Sequence, residues 1–297
     1  MAGIFTGSYN GLSFGVGTTL SISELVGLND MPPVRSADET KAGDHGLFQG
    51  IDYLGERTLR LGLYISGAGL ADYDAQCDTV EGAFSVQPTE LPLVYTLGDA
   101  TQTRQINCRP RKLVIPRDLQ RVGRTGYATV ELVATDPRKY SSTTTTLTTG
   151  LAAVSGGMTF PATFPLSFGA VGGGGTVTAT NAGNFQTPLA LTITGPVVNP
   201  IVDNQATGQS LSFLITLAST DTLVISGAGT SACAITLNGT ASRRNALQVG
   251  SAPLSQFGLP GGASGPCTPG VSQTFRFRNN GAFAAGQLSI AYQSAWI

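Results

Sequence analysis

The sequence predicts a mainly β protein made of two β-sandwich domains, residues 1–140 carrying a single α-helix and residues 141–297 carrying none. Three observations predict it. Apolar residues recur with a period of two in many short segments, a helical period occurs in one place, and composition changes abruptly near residue 141.

In Leu59-Arg60-Leu61-Gly62-Leu63-Tyr64-Ile65 the odd positions are aliphatic and the even ones are not, so one face of a strand is buried. From Leu70 to Phe84 the period lengthens. Leu70, Tyr73, Cys77, Val80 and Phe84 recur at steps of three and four, while Asp72, Asp74, Asp78 and Glu81 take the other face. This is an amphipathic helix, acidic toward its start as the helix dipole favours. Pro88 and Pro92 then break the chain, and strands are expected at Leu93–Leu97, Ile106–Cys108, Leu113–Ile115 and Tyr127–Val133. The segment Ile4–Val16 reads equally as a strand or as an arm reaching a neighbour. One helix among several strands places it on a face or flank of the sandwich.

From Ser141 to Thr149 nearly every residue is Ser or Thr, which makes the stretch a linker or the opening edge strand of the second domain. Beyond it, β-rich runs at Ala190–Thr194, Leu211–Leu217, Thr222–Ile225, Ala234–Leu237, Gln273–Arg278 and Gln287–Tyr292 are separated by Gly, Pro, Asn and Asp clusters. An antiparallel sandwich follows. Thr274-Phe275-Arg276-Phe277-Arg278 alternates, two rings inward and two guanidinium groups outward, and the outward row suits a solvated face or an interface equally.

Charge divides the chain the same way. Residues 1–140 hold 13 of the 17 Lys and Arg and 16 of the 18 Asp and Glu. The net charge of −1 gives the whole chain no strong pull toward nucleic acid or membrane. The first residues lack the basic and apolar regions of a secretory signal, and no stretch approaches the roughly 18 apolar residues of a membrane span. Residence in a cytoplasm, or release by lysis, is expected. Cys77, Cys108, Cys233 and Cys267 are scattered without a C-x-x-C pair, so buried free thiols are expected in place of disulfides or a zinc site, and the Asn238-Gly239-Thr240 sequon has no use without secretion.

Candidate chemistry is sparse. The single histidine, His45, lies in the glycine-flanked turn Ala42-Gly43-Asp44-His45-Gly46, where capping or packing is expected. The Gly172–Gly175 run lacks the Lys-Ser/Thr of a phosphate loop and reads as a flexible surface loop. Paired carboxylates could in principle make a glycosidase, but nothing marks any pair. No catalytic residue, cofactor or metal site is expected. A basic stripe comprises Arg104, Arg109, Arg111, Lys112, Arg117, Arg121 and Arg124 against the one acid Asp118. It lacks the interleaved aromatics of a single-strand platform, so pairing with carboxylates within or between subunits is preferred to nucleic acid, beside an ordinary solvated surface.

Several phrases resemble the N-terminal domain of phage distal tail proteins: Gly27-Leu28-Asn29-Asp30-Met31-Pro32-Pro33-Val34-Arg35, Gly43-Asp44-His45-Gly46, the stretch Tyr53–Leu61, and Thr135-Asp136-Pro137-Arg138-Lys139-Tyr140. In the second half Thr192-Ile193-Thr194-Gly195-Pro196, Ile235-Thr236-Leu237-Asn238-Gly239 and Ser294-Ala295-Trp296-Ile297 are similar to the C-terminal domain of the same family. One departure is Phe257-Gly258-Leu259-Pro260-Gly261, where family members often carry a tryptophan before the Pro-Gly turn; a glycine-rich loop holding Cys267 follows it.

The resemblance implies a ring, usually of six copies, of N-terminal sandwich domains around a channel, with galectin-like C-terminal sandwiches outward. Its implied partners are other copies of itself, the tail tube protein, the tail hub or tip protein and the tape measure protein. DNA would pass through the lumen without specific binding, no membrane is involved, and the protein would reside in the virion tail tip after assembly in the host cytoplasm. A closed ring repeats a heterologous interface, so unlike charges must meet across it. The candidate interface residues are Arg35, Asp44, Arg57, Arg109, Arg111, Asp136 and Arg138. A carbohydrate-binding or adhesin module is the alternative. Sugar sites usually need an exposed stacking aromatic, however, and the sole tryptophan, Trp296, is expected to close the core.

Overall fold

A computed structural model of the chain describes residues 6–97, 102–116, 119–151, 175–261, 271–280 and 285–297. The fold is mainly β and divides into two compact units, Met1–Ser142 together with Ile297, and Thr143–Trp296.

In the first unit, β1 (Thr6–Tyr9) and β2 (Leu12–Gly15) form a hairpin. Its turn residues Asn10 and Gly11 both have positive φ, at 47° and 81°, which is the Asn-Gly signature of a tight hairpin. The described part of the undecided N-terminal segment is therefore strand, paired to the body of its own domain. There follow β3 (Leu20–Val26), β4 (Arg57–Ser66), helix α1 (Leu70–Ala83), β5 (Leu91–Leu97), β6 (Gln102–Val114), β7 (Thr125–Ala134) and β8 (Lys139–Ser141). Seven strands share one antiparallel path, β2-β1-β5-β6-β7-β4-β3, and β8 pairs with β6.

The segments Ile106–Cys108 and Leu113–Ile115, expected as separate strands, belong to one long β6 that runs to Val114. Gln102 to Cys108 pair with β5 and Arg109 to Val114 with β7, with a register shift between Pro110 and Lys112. Proline offers no N–H to a ladder and is tolerated where a bulge breaks the pairing. The strand thus serves both halves of the domain.

The period-two reading of β4 holds, since Leu59, Leu61, Leu63 and Ile65 are all fully buried. Helix α1 adds Tyr73, Cys77, Val80 and Ala83 to the same core, and the rings of Tyr9 and Phe84 stack at 5.1 Å. Helix and sheet approach closely at Gly126, where a Cβ would stand 2.2 Å from the Tyr73 hydroxyl.

Residues 33–54, between β3 and β4, make an arm. Val34–Arg35 pairs with Tyr53–Leu54, and Glu39–Thr40 pairs with Leu47–Phe48. The expected turn around residues 42–46 is its tip, closed by the Lys41 amide donating to the Gly46 carbonyl at 3.3 Å.

The second unit contains β9 (Thr145–Gly150), β10 (Thr176–Asn181), β11 (Leu189–Thr194), β12 (Pro200–Asn204), β13 (Gln209–Ser212), β14 (Thr222–Ala228), β15 (Ala234–Leu237), β16 (Ala241–Ser242), β17 (Val271–Asn279) and β18 (Gln287–Tyr292). A six-stranded sheet, β9-β18-β11-β14-β15-β16, lies over a four-stranded one, β10-β17-β12-β13. Alternate residues from both sheets fill one core, among them Leu191, Ile193, Leu223 and Ile290 from the first and Val202, Phe275 and Phe277 from the second. The Ser/Thr run supplies the edge strand β9 and not a bare linker. The expected strand Leu211–Leu217 is interrupted, because Thr216–Leu217 pairs with Val197–Val198 in a separate ladder.

Among the described residues no helix is long and apolar enough to cross a membrane. Cys77, Cys108 and Cys233 are buried free thiols, and burial raises the thiol pKa of Cys108 to about 12. Cys267 and the loop from 262 to 270, like Gly172 to Gly174 and Arg117, fall outside the described residues.

Candidate subunit-interface residues

Seven charged residues were expected at an interface, and the structure sorts them into three groups. Arg57 corrects its expectation. It is only 1% exposed, because it continues the inward row of β4 two residues before Leu59. Its Nε donates to the Pro137 carbonyl at 2.9 Å, and its Nη1 donates among the carbonyls of Gly27 (2.8 Å), Leu28 (3.0 Å) and Asp30 (2.6 Å). Burial lowers its pKa, the side chain has no surface to offer a neighbour, and Nη2 is buried without a hydrogen-bond partner among the described residues.

This arginine ties together two of the phrases that carry the family resemblance. The loop from Gly27 to Asp30 turns its carbonyls toward Arg57, and Gly27 makes the turn possible. Its φ is +87°, and a Cβ there would stand 2.1 Å from the Thr58 carbonyl oxygen. Asp30 Oδ2 accepts the Gly27 amide at 3.2 Å. From the other phrase, Lys139 is 4% exposed and donates its Nζ to the Leu28 carbonyl at 3.0 Å. Burial, then the nearby Arg57 and Arg104, bring its pKa down to about 8.

Asp136 and Arg138 form the second group. They pair with each other at 3.5 Å, Asp136 accepts the Tyr140 hydroxyl at 2.6 Å, and both remain partly exposed. Burial, then Asp136, raises the Tyr140 pKa above the ordinary phenol range.

The third group is open to solvent in whole or part. Arg35 and Asp44 lie on the arm and are exposed. The Asp44 carboxylate accepts the His45 amide at 2.7 Å, the local capping expected of that turn. Arg111 and Lys112 are exposed on β6, while Arg109 is half-buried and its Nε is buried without a hydrogen-bond partner among the described residues. Arg121 and Arg124 of the basic stripe are instead spent within the chain. Arg121 grips Asp74 of α1 with two hydrogen bonds, of 3.0 Å and 2.5 Å, and Arg124 donates to the Ala68 carbonyl at 2.7 Å. Part of the outward row of β17 is likewise paired, Arg278 holding Asp203.

Among the described residues no group of three or more His, Cys, Asp or Glu is placed to hold a metal ion. Asn238 of the sequon is a turn residue at φ 52°, bonded through its side chain to Thr222 and Asp221. Phe257, before the Pro-Gly turn, is buried against Phe275 with ring centroids 5.9 Å apart. A cleft of about 460 Å³ in the second unit is lined by Thr230, Ser231, Arg244, Ser251 and Ser255 among others, with no aromatic platform.

No family model and no curated protein matches the sequence. Among solved structures the chain is similar to the Dit protein of phage SPP1, described as a paradigm of the hub adsorption apparatus in phages infecting Gram-positive bacteria. The TM-score is 0.64 at 14% identity, over 99% of this chain and 100% of that one. Two structures of the phage p2 baseplate in its activated conformation, with Ca and with Sr, align over 94% and 96% of this chain and 99% and 97% of theirs, at 10% identity and TM-scores of 0.45 and 0.41. The fold of the chain is similar to that of SPP1 Dit along its whole length.

Proposed function

We propose that this chain is a non-enzymatic structural protein of a long-tailed phage virion, forming a six-copy ring that joins the tail tube to the hub of the tail tip. One observation carries the reading. The similarity to SPP1 Dit spans both domains from end to end, and the phrases Gly27–Arg35 and Thr135–Tyr140 that carried the family resemblance meet around one buried arginine. In this reading the ring leaves a lumen for the tape measure protein and for DNA in transit, and its two faces bind the tube and hub proteins.

The test is the solution mass of the purified full chain by light scattering, with negative-stain images of the large species. A ring of six times 30.5 kDa supports the reading. A strict monomer across concentrations that binds glycans would replace it with the carbohydrate-binding alternative.

A further inference from the structure

The arm between β3 and β4 touches no core of its own. From Pro33 to Tyr53 nearly every residue is exposed, including large apolar side chains: Leu47 is 57% exposed, Phe48 62% and Ile51 67%. A two-stranded hairpin in water is marginal by itself, and clustered exposed apolar side chains mark a surface that meets another molecule. The arm is also acidic, with Asp38, Glu39, Asp44 and Asp52 against Arg35 and Lys41.

The complementary surface is in the same domain. On β6 the register shift puts Arg111 and Lys112 side by side and exposed, next to Arg109. Among the described residues none of these three has a carboxylate within ion-pair distance, whereas Arg60, Arg121, Arg138 and Arg278 each do. Beside them the outer face of the sheet exposes Val114 (42%) and Tyr127 (49%). Arg109, Arg111 and Lys112 outnumber Glu131, which stands opposite Lys112 in the ladder, so an apolar, acidic arm and an apolar sheet face that is basic on balance are the two halves of a head-to-tail contact that rotation can close.

We propose that the arm of residues 33–54 docks on the β6–β7 face of a second copy of this chain, its apolar side chains against Val114 and Tyr127 and its carboxylates against Arg109, Arg111 and Lys112. The inference rests on the ring reading and names the contact that builds the ring.

Three variants of the full chain, and a fourth that combines two of them, test it by light scattering over a dilution series, with circular dichroism to confirm folding. Phe48→Ser should raise the concentration at which the oligomer dissociates about tenfold or more, as loss of an interface anchor does. Asp38→Lys with Glu39→Lys, and separately Arg111→Glu with Lys112→Glu, should each dissociate it, and the four changes combined should restore it, because only self-docking returns opposite charges to the contact. An oligomer that survives all three variants overturns the docking while leaving the ring intact. Dissociation without rescue in the combined variant also overturns it, and a monomeric wild type overturns both docking and ring.

Discussion

Arg57 and Lys139 donate to the same acceptor, the carbonyl oxygen of Leu28, each at 3.0 Å. Among the described residues neither cation is hydrogen-bonded to a carboxylate. A loop from residue 27 to 30 and another from 137 to 139 are joined by charge meeting backbone, where each carbonyl that loses its donor would be left buried.

Removing the arginine should therefore be severe. Arg57→Met keeps the apolar length and strands the carbonyls of Pro137, Gly27 and Asp30, Leu28 keeping Lys139 as its donor, an expected loss of about 3–5 kcal/mol in denaturant unfolding. Arg57→Lys should recover only part, because an ammonium cannot span Pro137 and the 27–30 loop together. A loss under about 1 kcal/mol for Arg57→Met would contradict a structural role.

Lys139 makes stability depend on pH. Its folded pKa of about 8 lies below the ordinary lysine value of 10.5, so between those values the unfolded chain binds the extra proton. Stability from this group accordingly rises with pH across that window, by at most about 1.4 kcal/mol per unit, and is flat below it. Tyr9, Tyr95 and Tyr140, whose pKa values are raised, act oppositely once the pH passes 10. The difference between wild type and Lys139→Met from pH 8 to 9.5 isolates the lysine, and equal slopes would show that its pKa is not depressed.

In the second unit Asn181 is fully buried and makes four hydrogen bonds: its Nδ2 donates to the carbonyls of Phe185 and Pro260, and its Oδ1 accepts the amides of Gly183 and Ala295. Asn181→Leu should lose about 3 kcal/mol or more, since no partner is compensated. Amide exchange at Gly183 and Ala295 should accelerate with it, and unchanged exchange would mean that other acceptors suffice.

Gly126→Ala places a methyl against the Tyr73 hydroxyl and should cost about 1–3 kcal/mol by overpacking. Tyr73→Phe in that background should return part of the loss. Additive losses in the double variant, measured by chemical denaturation, would show that the two residues do not collide.

The bidentate Arg121–Asp74 pair makes a contrast, because both side chains are about a third or more exposed, at 43% and 34%. Solvent screening limits Asp74→Asn to about 1 kcal/mol or less. A melting-curve loss several times larger would mean that the pair organises the helix beyond its direct contact.

Alternation along the sequence was sufficient to read β4 and α1, because whether a side chain points in or out follows from its position in a strand or helix. The same rule reached Arg57. It stands in phase with Leu59, Leu61, Leu63 and Ile65, yet its charge argued for the surface, and only the carbonyls gathered from two distant loops explain why it is inside. The polar stretch Arg109-Pro110-Arg111-Lys112 separates the two apolar runs of β6 along the sequence, and only the pairing on either side of the bulge shows that they are one strand.

The sequence by itself determined the β class, the single helix and the change of surface chemistry near residue 141, all of which follow from local periodicity and composition. Tertiary structure decided which cations are spent and which are left over. Arg57 and Lys139 are held by buried carbonyls and Arg121 by Asp74, while Arg109, Arg111, Lys112 and the arm have no such partners among the described residues. That distinction could not be read along the chain, because a hydrogen bond or an ion pair depends on which distant residues the fold brings within about 3 Å.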